Sequence, residues 1–370
     1  MLRSSPMWPG VPLALLSAAL FGISTPLAKL LLGGGLSPWL LAGLLYLGSG
    51  AGLLAVRLVG RWHGGMAAEA PLRRSDLPCL ALVVLSGGVA GPLLRMIGLA
   101  TTPAAAASLL LNLEGLATMA IAWLMFRENV DRRLLLGAAA ILAGAAVLSW
   151  PGAGGAIGGG LGWGAVAIAA ACAAWGLDNN LTRQLSTADP VEIALVKGLA
   201  AGAVNLVLAL ALGARLPAPA TIAAAGVIGF IGYGVSLVLF VIGLRHLGAA
   251  RTGAYFSTAP FIGAVLSLVL LGERLSLGLV VAGILMAIGL YLHLAERHQH
   301  EHAHEALDHE HRHVHDMHHR HAHAPGDPSD EPHTHRHRHA GLVHTHPHYP
   351  DLHHRHRHHG ASAEGDAPAH

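Results

Sequence analysis

RMIGLATTPAAAASLLLNLEGLATMAIAWLMFREN at 95–129 and FVIGLRHLGAARTGAYFSTAPFIGAVLSLVLLGER at 240–274 align without a gap along their whole length. Ile97-Gly98-Leu99 falls on Ile242-Gly243-Leu244, Glu128 on Glu273 and, further on at the same offset, Gly144 on Gly289. The first apolar runs of the two halves also correspond. FGISTPLAK at 21–29 lies on WGLDNNLTR at 175–183, which sets Lys29 opposite Arg183. A self-match of this extent marks an internal repeat and constrains every later reading of the chain.

A membrane-crossing helix needs about 20 apolar residues. Between polar or Gly/Pro punctuation the chain offers ten such runs, near 11–32, 36–57, 77–99, 103–126, 134–150, 161–182, 190–213, 221–244, 249–271 and 276–294. Each half holds five, and an odd number of crossings inserts the second copy upside down. The expected fold is therefore all-α and integral to the membrane: ten transmembrane helices as two inverted five-helix repeats, 11–150 and 161–294. The arginines agree. With the N-terminus inside, the inner loops hold Arg57, Arg61, Arg73, Arg74, Arg127, Arg132, Arg133, Arg183, Arg245 and Arg251, and the outer loops only Arg215 and Arg274. Cytoplasmic loops carry the excess of basic residues, so both termini are expected in the cytoplasm and the protein in the inner (plasma) membrane.

Composition excludes several alternatives. The chain is 53% hydrophobic and 12% charged, with a mean hydropathy of +0.51; soluble domains carry roughly twice that charged fraction. A net charge of +2 without a basic, aromatic-laced patch gives no reason to expect nucleic acid. Cys79 and Cys172 lie in apolar runs with no C-x-x-C spacing, against a disulfide framework or a thiolate zinc site. No P-loop, nucleophile elbow or metalloprotease helix is present, so an enzyme is not expected. The N-terminal run lacks a convincing cleavage site and reads as the first membrane helix rather than a signal peptide. Gly48/Gly52, Gly87/Gly91 and Gly198/Gly202 have the four-residue spacing that lets helix backbones approach.

Ionisable residues within spans are costly and face a cavity or a partner. Here they are Lys29, Arg95, Glu114, Asp178 and Lys197, with Asn112, Asn179, Asn180 and Asn205 as neutral company. The repeat mate of Asp178-Asn179-Asn180 is Ser24-Thr25-Pro26, whose proline frees a backbone carbonyl. Together they predict a polar patch at the pseudo-symmetric centre, and the expected substrate pathway is Asp178, Asn179, Asn180, Glu114, Asn112, Arg95, Pro26 and Lys197. Arg95 and Glu114 lie on adjacent helices with an axial offset of about 9 Å at 1.5 Å per residue. They are expected either to pair and fix the two helices or to line a cavity. Lys29 and Arg183, near span ends, are expected to snorkel. His63, His246 and His293 are isolated.

Residues 297–370 hold 25 of the 28 histidines and nothing that builds a core, so this cytoplasmic tail is expected to be disordered. His-x-His recurs throughout, and in an extended chain residues i and i+2 share a face. The candidate metal ligands are His298, His300, His302, His304, His309, His311, His313, His315, His321, His323, His333, His335, His337 and His339; His344/His346 and His356/His358 repeat the spacing. Glu301, Glu305, Asp308, Glu310 and Asp316 add oxygen donors. Neutral imidazole suits divalent Ni, Co, Zn and Cu, so a divalent transition metal is expected on the tail, with no cofactor required by the bundle. The tail then captures an exported metal, buffers metal beside a transporter of something else, or switches charge near pH 6.5 at an anionic lipid surface. A low-complexity expansion without function is the bland alternative.

With its 5+5 inverted repeat, GLATTPAAAASLL…FRE in the first half and GAARTGAYFSTAPFIGAVLSLVLLGERLSLGLVVAGILMAIGLYL in the second, the chain resembles the EamA-type drug/metabolite transporters. Pro260 and Leu-Gly-Glu-Arg at 271–274 are the most characteristic elements. The resemblance covers residues 11 to about 294 and departs at Glu114-Gly115, where the second repeat has Ala259-Pro260. It implies export or exchange of small metabolites by alternating access without ATP hydrolysis, and it does not name the substrate. The expected function is a secondary-active exporter, with divalent Ni, Co or Zn as the first substrate and a small organic metabolite or drug as the alternative. A non-transporting membrane metal sensor is a third reading, and it leaves the repeat unexplained. The expected partners are membrane lipid and a small solute or metal ion; a homodimer is left open.

Overall fold

The computed structural model describes residues 10–62, 72, 74–126, 132–150, 162–184, 189–247 and 249–294, with four short tail segments, 298–304, 307–313, 333–339 and 342–348. The first half contains α1 (Gly10–Gly33), α2 (Pro38–Trp62), α3, α4 and α5 (Arg132–Ser149). In α3, Leu77–Val83 passes through a π-helical Val84–Ala90 into Gly91–Thr101; α4 is Ala104–Leu110 followed by Leu113–Phe126. The second half repeats the order with α6 (Trp163–Gln184), α7 (Pro190–Ala211), α8, α9 and α10 (Leu277–Leu294). Here α8 is Pro219–Gly229, a π-helical Phe230–Val235 and Ser236–Leu247, and α9 is Ala249–Phe256 followed by Ala259–Leu271.

Helices α1, α2, α3, α4, α5, α7 and α8 are long and apolar enough to cross a membrane, and Ala259–Leu271 and Leu277–His293 are shorter apolar helices. Against the expectation of ten spans, length and hydropathy alone support seven among the described residues. Helix α6 has the length, 22 residues, but its second half carries Asp178, Asn179, Asn180, Thr182 and Arg183. Along the outside of the bundle Trp123, Leu124, Leu136, Val269 and Tyr291 are exposed, an apolar surface that water would not tolerate over this extent.

The two sequence repeats interlace rather than stand apart. Helix α1 packs on α8 and α9, and α6, its repeat mate, packs on α3 and α4. Further packed pairs are α2 with α7, α2 with α8, α4 with α9 and α5 with α10. Small residues permit this closeness. A Cβ on Gly198 would stand 2.9 Å from Gly50 in the α2–α7 seam, and one on Gly289 would stand 2.6 Å from the Gly137 carbonyl in the α5–α10 seam. Gly48 backs onto Gly226, and Gly52 onto the Phe230 ring. Leu40, Leu41, Leu45, Met96, Leu110, Ile168 and Met286 fill the centre.

The π-helical segments are an irregularity that both halves share, as are the breaks in α4 and α9. Carried forward by the 145-residue offset that maps 95 onto 240, Val84–Ala90 lands on 229–235, within one residue of Phe230–Val235. A π-helical turn loosens the backbone ladder and is frequent at functional sites.

Among its described segments the tail contributes no helix. Backbone 298–304 pairs antiparallel with 342–348, and 307–313 with 333–339.

Candidate functional site

The polar groups of the bundle gather where α1, α3, α6 and α8 meet. Arg95, on the last segment of α3, is 2% exposed. Its guanidinium donates to the Tyr233 hydroxyl, to Thr25 Oγ1 at 2.7 Å and, weakly, to Ser24 Oγ at 3.4 Å. Ser24 and Thr25 come from α1, beside the buried Pro26, which has no N–H and leaves the carbonyl one turn earlier without its ladder bond. The Phe21 and Tyr233 rings flank the guanidinium, with centroids 5.7 and 5.8 Å from Arg95 Cζ. Every partner of Arg95 named here is a neutral oxygen or a ring face.

The π-helical segment of α3 supplies the next layer. Gly87 offers its carbonyl to both the Tyr46 hydroxyl from α2 and Trp175 Nε1 from α6, each at 3.0 Å. Asn205 of α7 donates to the adjoining Gly88 carbonyl at 3.2 Å. Side chains from three helices thus satisfy carbonyls that a wide turn presents sideways, as buried backbone oxygens require. Gly87 has no room for a side chain, because a Cβ there would overlap the Asp178 carboxyl. Its repeat mate Gly232 meets Ser24, the repeat mate of Asp178, at 2.8 Å in the same way. The contact is crossed, each repeat's π segment bearing on the other's first helix.

Asp178 is 4% exposed and is paired with Lys197 of α7, and Thr182 Oγ1 lies 3.3 Å from its other oxygen. Glu114 accepts from Asn179 Nδ2 at 3.1 Å, the same amide reaching Thr118 Oγ1, while Asn180 Nδ2 donates to the carbonyls of Thr118 and Gly176. Glu114, Asp178, Lys197 and Arg95 are near enough to interact electrostatically.

Seven of the eight expected pathway residues thus line this region: Arg95, Glu114, Asp178, Asn179, Asn180, Lys197 and Pro26. Asn112 does not join them. It donates to the Leu109 carbonyl at 2.8 Å and closes the break in α4 against Met286. Arg95 and Glu114 do not pair, because the break at Leu111–Asn112 hands Glu114 to α6 while Arg95 turns to α1 and α8. The residues that sequence reasoning missed are Tyr46, Trp175 and Tyr233. The Gly-Tyr-Gly at 232–234, an aromatic between glycines in an apolar run, is the signal that could have found one of them.

A second polar set lies where α3 passes into α4. Lys29 Nζ donates to the carbonyls of Leu99 (2.6 Å), Ala100 (3.2 Å) and Thr102 (2.8 Å) at the end of its span. Across the same turn the Glu273 carboxylate accepts from the backbone N–H groups of Ala104 (2.6 Å) and Ala105 (2.8 Å). Gly272, with φ +62°, provides the left-handed step that swings Glu273 back over the turn. The side chain of Arg183 and the candidate histidine ligands of the tail lie outside the described side chains. Among the described residues no three His, Cys, Asp or Glu side chains converge as a metal site would need.

A family model described as the EamA-like transporter family matches residues 8–150 and 162–295, close to the two repeats. An uncharacterized transporter of Methanothermobacter thermautotrophicus is 32% identical over 283 residues, covering 74% of this chain and 82% of that protein. A solved crystal structure, 21% identical, superimposes with a TM-score of 0.57 over 77% of this chain and 95% of that one, a likeness of fold.

Proposed function

The chain belongs to the EamA-like transporter family, and on that premise we propose that this multi-pass membrane transporter moves a small organic solute bearing an anionic group, by alternating access. The observation that carries the solute class is Arg95, a buried guanidinium whose partners are neutral oxygens. A cation taken out of water costs several kcal/mol unless an opposite charge meets it, and Asp178 is already engaged by Lys197. A carboxylate or phosphate on the solute completes the fork that Arg95 presents. A divalent metal would meet the repulsion of Arg95 and Lys197 and few donors, so the organic alternative is favoured over metal export. Both termini are placed inside on the strength of the arginine distribution, and export across the plasma membrane is carried by the family resemblance alone.

Thermal stability of the detergent-solubilised full-length protein, scanned against carboxylates, phosphates and Ni²⁺, Co²⁺ and Zn²⁺, tests this reading. At least one organic anion is expected to raise the melting temperature of the wild type. Arg95→Gln is expected to keep the fold and weaken that anion by about 2–5 kcal/mol, roughly thirtyfold or more. A response to metal alone that persists in a chain truncated after Arg297 overturns it in favour of metal export.

The tail supports a separate activity. The backbone register sets His298, His300 and His302 opposite His348, His346 and His344, and His309, His311 and His313 opposite His337, His335 and His333. Opposed residues share a face of an antiparallel ladder, as do residues two apart, so with His304 in the first and His339 in the second each ladder brings seven histidines to one face. The tail binds divalent transition metal there as a buffer beside the transporter. Truncation after Arg297 is expected to remove the high-capacity Ni²⁺ or Zn²⁺ binding seen by equilibrium dialysis while leaving solute-induced stabilisation unchanged. Full metal retention by the truncated chain would assign the binding to the bundle.

A further inference from the structure

The two tail ladders share one register, since opposed residues in both are equally distant along the chain from His323. The inner ladder joins 307–313 to 333–339, and the outer ladder joins 298–304 to 342–348. In each, three histidine pairs stand opposite one another in succession. The middle pair is His311–His335 in the inner ladder and His300–His346 in the outer. Opposed positions on one face lie about 4.5–5.5 Å apart, and positions two apart on a strand about 7 Å. Two successive pairs therefore set four histidines at the corners of a patch small enough to serve one tetrahedral ion, which neutral imidazole binds at about 2.0–2.1 Å. Every such set of four includes the middle pair of its ladder.

The residues between the histidines set the ladders apart. In the inner one Asp308 stands opposite Arg338 and Glu310 opposite Arg336, and opposite charges facing across two strands favour their pairing. The outer ladder sets Gln299 opposite Pro347, Glu301 opposite Thr345 and Ala303 opposite Val343. No opposed charges support it, and Pro347 has no N–H to give to a ladder. The inner ladder thus assembles with less help from metal. An ion that must also order the chain binds more weakly by the free energy of that ordering.

We infer that the ladders are two separate four-histidine sites for a divalent transition metal, filled in order, the inner before the outer. The inference rests on the reading of the tail as a metal buffer. It divides that buffer into a tight equivalent that the inner ladder holds and a weaker one that closes the outer ladder. Once the inner strands are paired, the outer ones are separated from them by two residues on each side, so the second closure orders a short stretch of chain.

The test titrates full-length protein in detergent with Zn²⁺ against a chromogenic chelator of known affinity. Two equivalents per chain are expected to bind ahead of the remaining capacity, the first several-fold tighter than the second. His311→Ala is expected to remove the first and His346→Ala the second. Replacing both members of a middle pair is expected to cost no more than replacing one, because either loss already opens the set of four. His300→Ala with His311→Ala, one from each ladder, is expected to remove both equivalents. Arg336→Gln with Arg338→Gln is expected to weaken the first equivalent several-fold without touching a histidine, and Pro347→Val to tighten the second. Losses that add within a middle pair, or single replacements that lower capacity only in proportion to the histidines removed, overturn the two sites while leaving the tail a buffer. Arginine and proline variants that leave both equivalents unchanged overturn the order of filling. A full-length chain that takes up no Zn²⁺ sinks the buffer reading and the ladder sites with it.

Discussion

Asp178→Asn and Lys197→Met are each expected to lower the stability of the solubilised protein by about 3–5 kcal/mol, and the double replacement to recover most of the loss. The side chains of Lys197 and Asp178 are 18% and 6% exposed, so removal of either partner strands the other charge in a place largely closed to solvent. The pair itself contributes little by comparison, because its attraction is set against the desolvation of both ions. Denaturant or thermal melts of the four proteins close a double-mutant cycle. Additive losses would mean that the two charges do not act as a pair. Transport separates the structural part from the functional one: a double variant that folds and still carries solute would remove the Asp178 carboxylate from the pathway.

Gly87→Ala should be nearly as severe, for a different reason. The added methyl occupies the space of the Asp178 carboxyl, and relieving that overlap costs about 1–3 kcal/mol in a tightly packed interior. It also displaces the carbonyl that Tyr46 and Trp175 share, so transport is expected to fail even in protein that inserts. Gly115→Ala is the internal control. That glycine is exposed in a helix with nothing within 4 Å of its missing Cβ, and alanine there is expected to stabilise by about 0.5–1 kcal/mol. Equal behaviour of the two variants, read as melting temperature and as uptake into proteoliposomes, would show that packing against Asp178 is not what demands glycine at 87.

Much of this was legible in the chain. The ungapped self-match placed five helices in each half, and the rarity of charges in apolar runs singled out Arg95, Glu114, Asp178 and Lys197. What the residues did not reveal was how the charges are partnered. The offset along adjacent helices put Arg95 within reach of Glu114, but axial distance says nothing about rotation, and the break after Leu110 turns Glu114 towards Asn179 instead. The carbonyl partners of Lys29 were not legible because they lie 70 residues and more away along the chain. The π-helical segments escaped for a plainer reason: their residues, Val-Leu-Ser-Gly-Gly-Val-Ala and Phe-Ile-Gly-Tyr-Gly-Val, are ordinary for a membrane α-helix. The width of the turn follows from contacts that a linear reading does not contain.

Those two segments have a further consequence for how the halves fit together. A turn closed between residues five apart holds one residue more than a turn closed between residues four apart, so each marks a place where a helix accommodated an extra residue while its later faces stayed in register. Both halves carry that residue at the same point to within one position. The crossed contacts of Gly87 on Asp178 and Gly232 on Ser24 are then one seam made twice, each half's wide turn seated against the other half's first helix, so that neither half packs fully without the other.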